Sequence, residues 1–137
     1  MKEKWIKWIP IINLNKKYNI KLITDNIDSF EIVLSASNVK DIKVEFNNSI
    51  DAYRCTEEGL TLNLLNRLEK QYGKEFYTQW SFFKVENSEY IKWLVNDYGG
   101  FDNEYAELIG LKHYVFIDDN NILDVIARYE PSFKLIE

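Results

Sequence analysis

Residues 111–127, LKHYVFIDDNNILDVIA, contain the pattern that decides the fold. Apolar side chains alternate on either side of four polar residues at 118–121, which is the pattern of two antiparallel strands joined by a tight turn. A turn through Asp119 and Asn120 sets the register of the two strands. The directly opposed pairs are then Ile117 with Ile122, Val115 with Asp124, and His113 with Ile126. The stretch predicts a β-hairpin with strands at 111–117 and 122–127.

The two faces of this hairpin need different surroundings. One face is wholly apolar and is the predicted core face, formed by Tyr114, Phe116, Leu123, Val125 and Ala127. The opposite face is too apolar to face water, and it carries His113, Val115, Ile117, Ile122, Asp124 and Ile126. We therefore expect the second face to be covered, either by another part of this chain or by a partner.

An alternation with a period of two also runs through residues 18–46. Its apolar sets are Tyr18, Ile20 and Leu22, then Phe30, Ile32 and Leu34, then Ile42, Val44 and Phe46. This pattern predicts a three-stranded antiparallel meander with one face toward water and one face covered. Residues 133–136, after Pro131, are expected to add an edge strand.

Two helices are predicted between the meander and the hairpin. The first begins at the N-cap Thr56, carries a leucine stripe and ends at Gly73; the second begins at the N-cap Ser88 and ends at Gly99. A short helix at 74–80 and a strand at 81–86 are expected between them. The predicted fold class is α+β, a single domain spanning residues 1–137. In this prediction an antiparallel sheet, made of the meander and the hairpin, is covered by the two main helices.

Composition limits the chemistry that the chain can carry. Aromatic residues make up 15% of the sequence, whereas it has one histidine and one cysteine. One cysteine cannot form an internal disulfide, which fits a reducing compartment, and we expect a cytoplasmic protein. No stretch approaches the roughly 18 apolar residues that a membrane span needs. Because ligands for zinc or calcium are too few, we expect no metal and no cofactor.

His113 and Asp124 are the best candidates for a site in the predicted hairpin. The register makes them diagonal neighbours on one face, close enough for a side-chain hydrogen bond that would set the imidazole tautomer. One hypothesis is a ligand or catalytic cleft at this pair; the other is a polar pair that only satisfies itself. No serine or second cysteine stands in a recognisable triad motif, so no catalytic residue is predicted.

Cys55 is a second candidate for reactivity. It follows Arg54 and precedes the predicted N-cap Thr56, and a thiol near a helix N-terminus and an arginine can have a lowered pKa. The alternative is a small buried hydrophobic residue, which is what free cysteines usually are.

Charge is distributed unevenly along the chain. Residues 1–100 contain equal numbers of basic and acidic side chains, whereas residues 101–137 contain three basic and eight acidic ones. Acidic side chains steer a basic partner and aromatic ones anchor it, although an acidic face can also serve only solubility. Phe101 is among the aromatic residues interleaved with these acids. The predicted residues for binding a basic protein are Asp102, Glu104, Tyr105, Glu107, Asp118, Asp119 and Tyr129.

Nucleic acid is not an expected partner. The formal net charge of the chain is −5, and its lysines are concentrated only in the first 21 residues. Phosphate neutralisation needs clustered lysine and arginine side chains.

Three segments carry a resemblance to a known class of proteins. They are FFKVENSEYIKWL at 82–94, the pair His113 and Tyr114, and ILDVI at 122–126 ahead of Pro131. They resemble small α+β proteins of low-GC Gram-positive bacteria, many of which are cytoplasmic immunity proteins that accompany secreted polymorphic toxins. The resemblance implies a non-enzymatic domain that neutralises a basic toxin domain, and it transfers no catalytic residue.

Two other functions are compatible with the same sequence. One is a small-molecule-binding module or enzyme with its cleft near His113 and Asp124. The other is a structural subunit that self-associates through the second face of the hairpin. We expect a monomer or a weak homodimer.

Overall fold

The computed structural model describes residues 2–14, 17–47, 50–100 and 102–136. In these residues the strands are β1 (Lys4–Lys7), β2 (Asn19–Asp25), β3 (Phe30–Ser35), β4 (Asp41–Phe46), β5 (Ala52–Glu57), β6 (Phe82–Glu86), β7 (Lys112–Ile117), β8 (Asn121–Ala127) and β9 (Ser132–Ile136). The α-helices are α1 (Leu62–Tyr72), α2 (Glu89–Lys92) and α3 (Asn103–Ile109). A 3₁₀ turn (Glu58–Leu60) precedes α1, and a π-helical segment (Trp93–Tyr98) continues α2. The predicted α+β class is confirmed.

The strands form two antiparallel sheets. One has the order β1-β6-β7-β8-β5, and the other has the order β2-β3-β4-β9. The predicted meander is confirmed as β2 to β4, and the predicted edge strand is β9, which pairs with β4. The predicted place of Leu22 on the covered face is wrong, because a β-bulge between Ile20 and Leu22 leaves Leu22 exposed and Ile23 packs on the core instead. The hairpin register is also confirmed, since Ile117 pairs with Ile122, Val115 with Asp124, and His113 with Ile126.

The meander and the hairpin lie in different sheets, so the prediction of one sheet containing both is wrong. The covered face of the meander packs against the core face of the hairpin rather than against a helix. The interior between the sheets contains Phe30, Ile32, Leu34, Ile42, Val44 and Phe46 from the meander and Phe82, Tyr114, Phe116, Leu123, Val125 and Ala127 from the other sheet. The alternation shows that a face is covered, but both a sheet and a helix can cover it.

The outer face of the five-stranded sheet is covered by this chain itself. Helix α1 places Leu65 and Leu68 against Val115, Ile117 and Ile122, and the cluster also contains Trp5, Phe76, Phe83 and Val85. All of these side chains are buried. The second face of the hairpin is therefore not available for self-association, and that part of the structural-subunit hypothesis is wrong.

The helix boundaries differ from the prediction in one important place. Thr56 lies in strand β5 and does not cap a helix; α1 begins at Leu62, after Thr61. Its end at Gly73 is as predicted, with a φ of 100° that favours glycine. Ser88 is an N-cap as predicted, because its side chain accepts a hydrogen bond from the Ile91 N–H.

Several elements depart from the sequence analysis. Strands β1 and β5 and helix α3 were not predicted, and residues 74–80 form turns instead of a helix. None of the helices within the described ranges is long and apolar enough to cross a membrane.

Candidate functional site

The His113 imidazole lies at the centre of a chain of hydrogen bonds on the outer face of the five-stranded sheet. Its Nε2 is 2.6 Å from Asp124 Oδ1, and its Nδ1 is 2.8 Å from Ser88 Oγ. Both His113 and Asp124 are buried. The predicted hydrogen bond between these two side chains is confirmed.

The partners of His113 determine where its proton lies. Ser88 Oγ already accepts from the Ile91 N–H, so its own hydroxyl is free to donate to His113 Nδ1. The Asp124 carboxylate can only accept, so Nε2–H donates to it. In the neutral imidazole with its proton on Nε2, every donor in the chain has an acceptor, which is the condition for burying such groups at low cost.

Asp124 is ionised although it is buried. Burial favours the neutral carboxyl group, but the hydrogen bond from His113 Nε2–H and the charge and hydrogen bond of the Arg54 guanidinium together hold the pKa of Asp124 below its usual value. The second carboxylate oxygen, Oδ2, accepts a 2.8 Å hydrogen bond from Arg54 Nε. The carboxylate therefore joins a buried histidine to an arginine at the surface.

Ser88, His113 and Asp124 include the residue types of a catalytic triad, but the geometry does not suit nucleophilic attack. Ser88 is only 4% exposed, and its oxygen caps α2. A nucleophile must be accessible to the substrate while its base lies within hydrogen-bonding distance. Ser88 meets the second condition but not the first. The arrangement instead holds the carboxylate of Asp124 in place for Arg54.

Arg54 is held from two sides at the edge of the sheet. It lies on β5 directly opposite Asp124 on β8, and its guanidinium carbon is 3.9 Å from the centre of the Tyr90 ring. About half of its side chain is exposed. The guanidinium is therefore held in position at a cleft that Arg54 helps to line.

This cleft has a volume of about 670 Å³. Its lining includes both residues of the predicted alternative ligand site, His113 and Asp124, together with Arg54. The walls come from the start of α1, from α2, and from the aromatic side chains Trp5, Tyr90 and Trp93. The structure thus brings a cleft to the predicted pair.

Sequence reasoning missed the roles of Ser88 and Arg54 in this site. Ser88 was recognisable as a helix cap, but its contact with His113 joins residues 25 positions apart. Arg54 was noticed only as the neighbour of Cys55. A prediction of strand β5 would have been the signal needed to place it opposite Asp124.

A ladder of aromatic rings leads from the cleft to the surface beside it. Tyr90 stacks on Trp93 with ring centres 6.3 Å apart, and Trp93 stacks on Tyr98 at 5.5 Å. Tyr98 is 77% exposed. Trp93 and Tyr98 therefore present large apolar rings to solvent in a defined arrangement.

The predicted partner-binding residues fall into two separate groups. Asp102, Glu104, Tyr105 and Glu107 are exposed at the start of α3 or within it. Tyr129 is exposed just after β8. It follows Ala127, which pairs with Lys112, and Lys112 is the first residue of β7 after α3. These five residues lie toward one end of β7. Phe101 lies outside the described residues.

Asp118 and Asp119 lie at the other end of β7, about 20 Å away for a six-residue strand. Asp118 is buried, and its carboxylate accepts hydrogen bonds from the backbone N–H groups of Ile20, Asn120 and Asn121. A turn and a strand therefore use both oxygens of Asp118, and little of this side chain is presented to solvent. The predicted residues do not form one patch.

Cys55 also differs from the prediction. It is on the edge strand β5, exposed, and not at a helix N-terminus. Partial burial, followed by the negative charges of Asp118 and Asp124, raises its thiol pKa above the ordinary value. An activated thiolate is not favoured here.

No group of three or more histidine, cysteine, aspartate or glutamate side chains is placed to hold a metal ion within the part of the chain that the structure describes. No protein-family model, no curated protein and no solved structure matches the chain.

Proposed function

We propose that this chain is a non-enzymatic protein-binding domain of the immunity type, which neutralises a basic toxin domain in the cytoplasm. Its binding surface is formed by the π-helical segment and α3, and we call it the acidic helical surface. Its residues are Trp93, Asp97, Tyr98, Asp102, Glu104, Tyr105, Glu107 and Leu108.

The observation that supports this proposal best is the placement of unneutralised acids beside exposed apolar side chains. Asp97, Asp102, Glu104 and Glu107 are exposed, and none of them forms an ion pair with a described residue. Elsewhere Asp41 and Asp51 are paired with a lysine and an arginine, whereas Asp25 and Asp28 are exposed and also form no ion pair with a described residue. Unpaired surface charge of one sign attracts a partner of the opposite sign and speeds its association.

The apolar side chains of the acidic helical surface supply anchors. Leu108 is 83% exposed and Tyr98 is 77% exposed, and Trp93 and Tyr105 are also accessible. Exposed tryptophan and tyrosine side chains are typical centres of protein interfaces, because they bury a large area at a small entropic cost. The stacking of Trp93 on Tyr98 reduces that cost further, since both rings are already ordered.

Co-expression with each toxin-domain protein encoded beside its gene tests the proposal. We expect one of these proteins to co-purify with the chain and to lose its toxicity in the host. Glu104→Lys combined with Glu107→Lys should weaken binding by at least about tenfold at low salt, mainly through a slower association rate. Tyr98→Ala should weaken it by more than about 1 kcal/mol through loss of an anchor.

The matched control for the charge reversal is Asp25→Lys combined with Asp28→Lys. These two acids are exposed on the other sheet, Asp25 at the end of β2 and Asp28 in the turn before β3, and their reversal changes the net charge by the same amount. The proposal is contradicted if no toxin-domain protein is captured or neutralised. It is also contradicted if both double variants weaken binding equally, because only overall charge would then matter.

A further inference from the structure

The terminal N–H groups of Arg54 are free hydrogen-bond donors at the cleft. Its Nε is occupied by Asp124, and its Nη1 and Nη2 atoms bond to no described residue. The planar guanidinium is clamped between Asp124 and the Tyr90 ring, so these two nitrogens are presented with little loss of side-chain freedom on binding. A pair of parallel N–H groups matches two oxygens of a carboxylate or a phosphate.

The support behind Arg54 is more extensive than a surface arginine needs. The carboxylate that fixes it is buried and is itself fixed by His113, which is fixed by Ser88. Burying a charged and polar chain of this kind is unfavourable compared with apolar packing unless each group is satisfied. The chain therefore orients one guanidinium from beneath, as supporting residues orient a binding group in a preorganised site.

Arg67 and the start of α1 also favour a negative ligand group. Arg67 lines the cleft and forms no ion pair with a described residue. The first turn of α1, which lies beside it, contains no acidic side chain and no side-chain cap. The cleft also contains two further carboxylates, of which Glu89 is paired with a lysine, whereas Glu3 bonds only to neutral N–H groups and keeps its negative charge beside the site. Glu3 accepts from the Trp5 indole N–H and the Glu89 backbone N–H, and Glu89 pairs with Lys92.

The walls of the cleft are apolar and aromatic. Trp5, Trp93, Leu62, Leu64 and Ile122 contribute to them. A volume of about 670 Å³ lies within the range of small-molecule sites. We propose that this cleft binds a small ligand that has a flat apolar body and one oxyanion group, a carboxylate or a phosphate, with Arg54 as the residue that binds the oxyanion. This site goes beyond the proposed function, because the binding of a toxin domain requires no small ligand.

Three naphthalene probes test the proposal by titration calorimetry with the full chain. They are 2-naphthoate, 2-naphthyl phosphate and the uncharged 2-naphthamide, which share one flat body. We expect at least one oxyanion probe to bind about tenfold or more tightly than the amide, which is the effect expected of a charge-assisted hydrogen bond. The stronger of the two oxyanion probes identifies the group that the cleft accepts.

Variants of Arg54 separate its role from that of the cleft walls. Arg54→Gln should reduce the affinity for the preferred oxyanion probe to that for the amide, while the amide affinity stays unchanged and shows that the walls are intact. Arg54→Lys should retain only part of the preference, because an ammonium group cannot offer two parallel N–H groups. Arg128→Gln is the control, since Arg128 is an exposed arginine paired with Asp51 and is not part of the cleft lining.

Three results would overturn the proposal. One is that no probe binds. A second is that the amide binds as tightly as both oxyanion probes. The third is that Arg54→Gln and Arg128→Gln have the same effect. None of these results bears on capture of a toxin-domain protein, so this proposal and the proposed function fail separately.

Discussion

The two faces of the five-stranded sheet are formed by the same strands, but they differ in whether their buried polar groups have hydrogen-bond partners. The inner face packs on the other sheet with apolar and aromatic side chains, and the Tyr114 hydroxyl is a buried polar atom there that has no hydrogen-bond partner among the described residues. The outer face buries His113 and Asp124, and each has its partners. A polar group without a hydrogen-bond partner is thus present on the inner face, whereas on the outer face each hydrogen-bonded side chain has its partners.

This difference separates stability from binding. Close packing of apolar groups stabilises a fold without requiring any particular polar geometry. A satisfied polar network contributes less net stability than apolar packing, but it holds its members in one arrangement. We therefore expect changes on the inner face to act mainly on unfolding, and changes on the outer face to act on the orientation of Arg54 as well.

The largest effect is expected from Phe82→Ala on the inner face. Phe82 is fully buried and contacts the rings of Tyr18, Phe116 and Phe133. Its truncation should lower the free energy of unfolding by about 3–5 kcal/mol, because it leaves a cavity between the sheets. Chemical denaturation measures this change, with Phe82→Leu as a milder variant if the alanine variant does not fold. Tyr98→Ala on the surface is the control and should change the free energy of unfolding by less than about 0.5 kcal/mol.

A smaller effect is expected from Asp124→Asn on the outer face. The substitution removes charge-assisted hydrogen bonds to His113 and Arg54 and should lower the free energy of unfolding by about 1.5–3 kcal/mol. Asp51→Asn removes an exposed ion pair with Arg128 and should cost less than about 1 kcal/mol. Equal losses in the two variants would contradict the distinction between a buried network and a surface pair.

The pH dependence of the free energy of unfolding, compared between the wild type and Asp124→Asn, gives a second measurement. Because the pKa of Asp124 is lower in the folded than in the unfolded chain, the unfolded chain binds more protons as the pH falls below about 4. The stabilisation by the carboxylate is complete above the unfolded pKa and is lost as the pH falls through the folded pKa. The stability gap between the wild type and Asp124→Asn should therefore narrow in acid, and a constant gap would exclude this linkage.

The smallest effect is expected from Tyr114→Phe, and its sign is opposite. Burial raises the pKa of Tyr114, and its hydroxyl makes no hydrogen bond within the described chain. Removal of this group should raise the free energy of unfolding by about 1 kcal/mol. Tyr72→Phe is the matched control, because the Tyr72 hydroxyl accepts a hydrogen bond from the Trp5 backbone N–H and its loss should destabilise the chain. Two variants that both destabilise would show that the Tyr114 hydroxyl is satisfied in solution.

The local parts of the fold could be predicted from the sequence, but their arrangement could not. Alternation and turn residues are short-range signals, so they gave the hairpin register and the meander. Strands β1 and β5 were missed because they are short edge strands with mostly exposed side chains, and Trp5 is the buried residue of β1. Without β5, residues 56–60 appeared to be the start of a helix.

The same limit applies to the candidate site. His113 and Asp124 could be paired because a single turn connects them. Ser88 and Arg54 could not, because their contacts depend on how β5 and β6 are ordered beside the hairpin. The sequence shows the excess of acidic side chains in residues 101–137 directly. This excess gave no indication that a whole strand separates α3 from Asp118, since composition contains no distances.

Strand β9 has a consequence for how this protein is made. It pairs with β4, which lies about 90 positions earlier, and it brings Phe133 against Trp8 and Phe82. During synthesis on the ribosome, the β4 edge of the meander stays unpaired until β9, which ends at Ile136, has left the exit tunnel. The β4 edge therefore stays open to the wrong neighbours for as long as β9 is not available to pair with it.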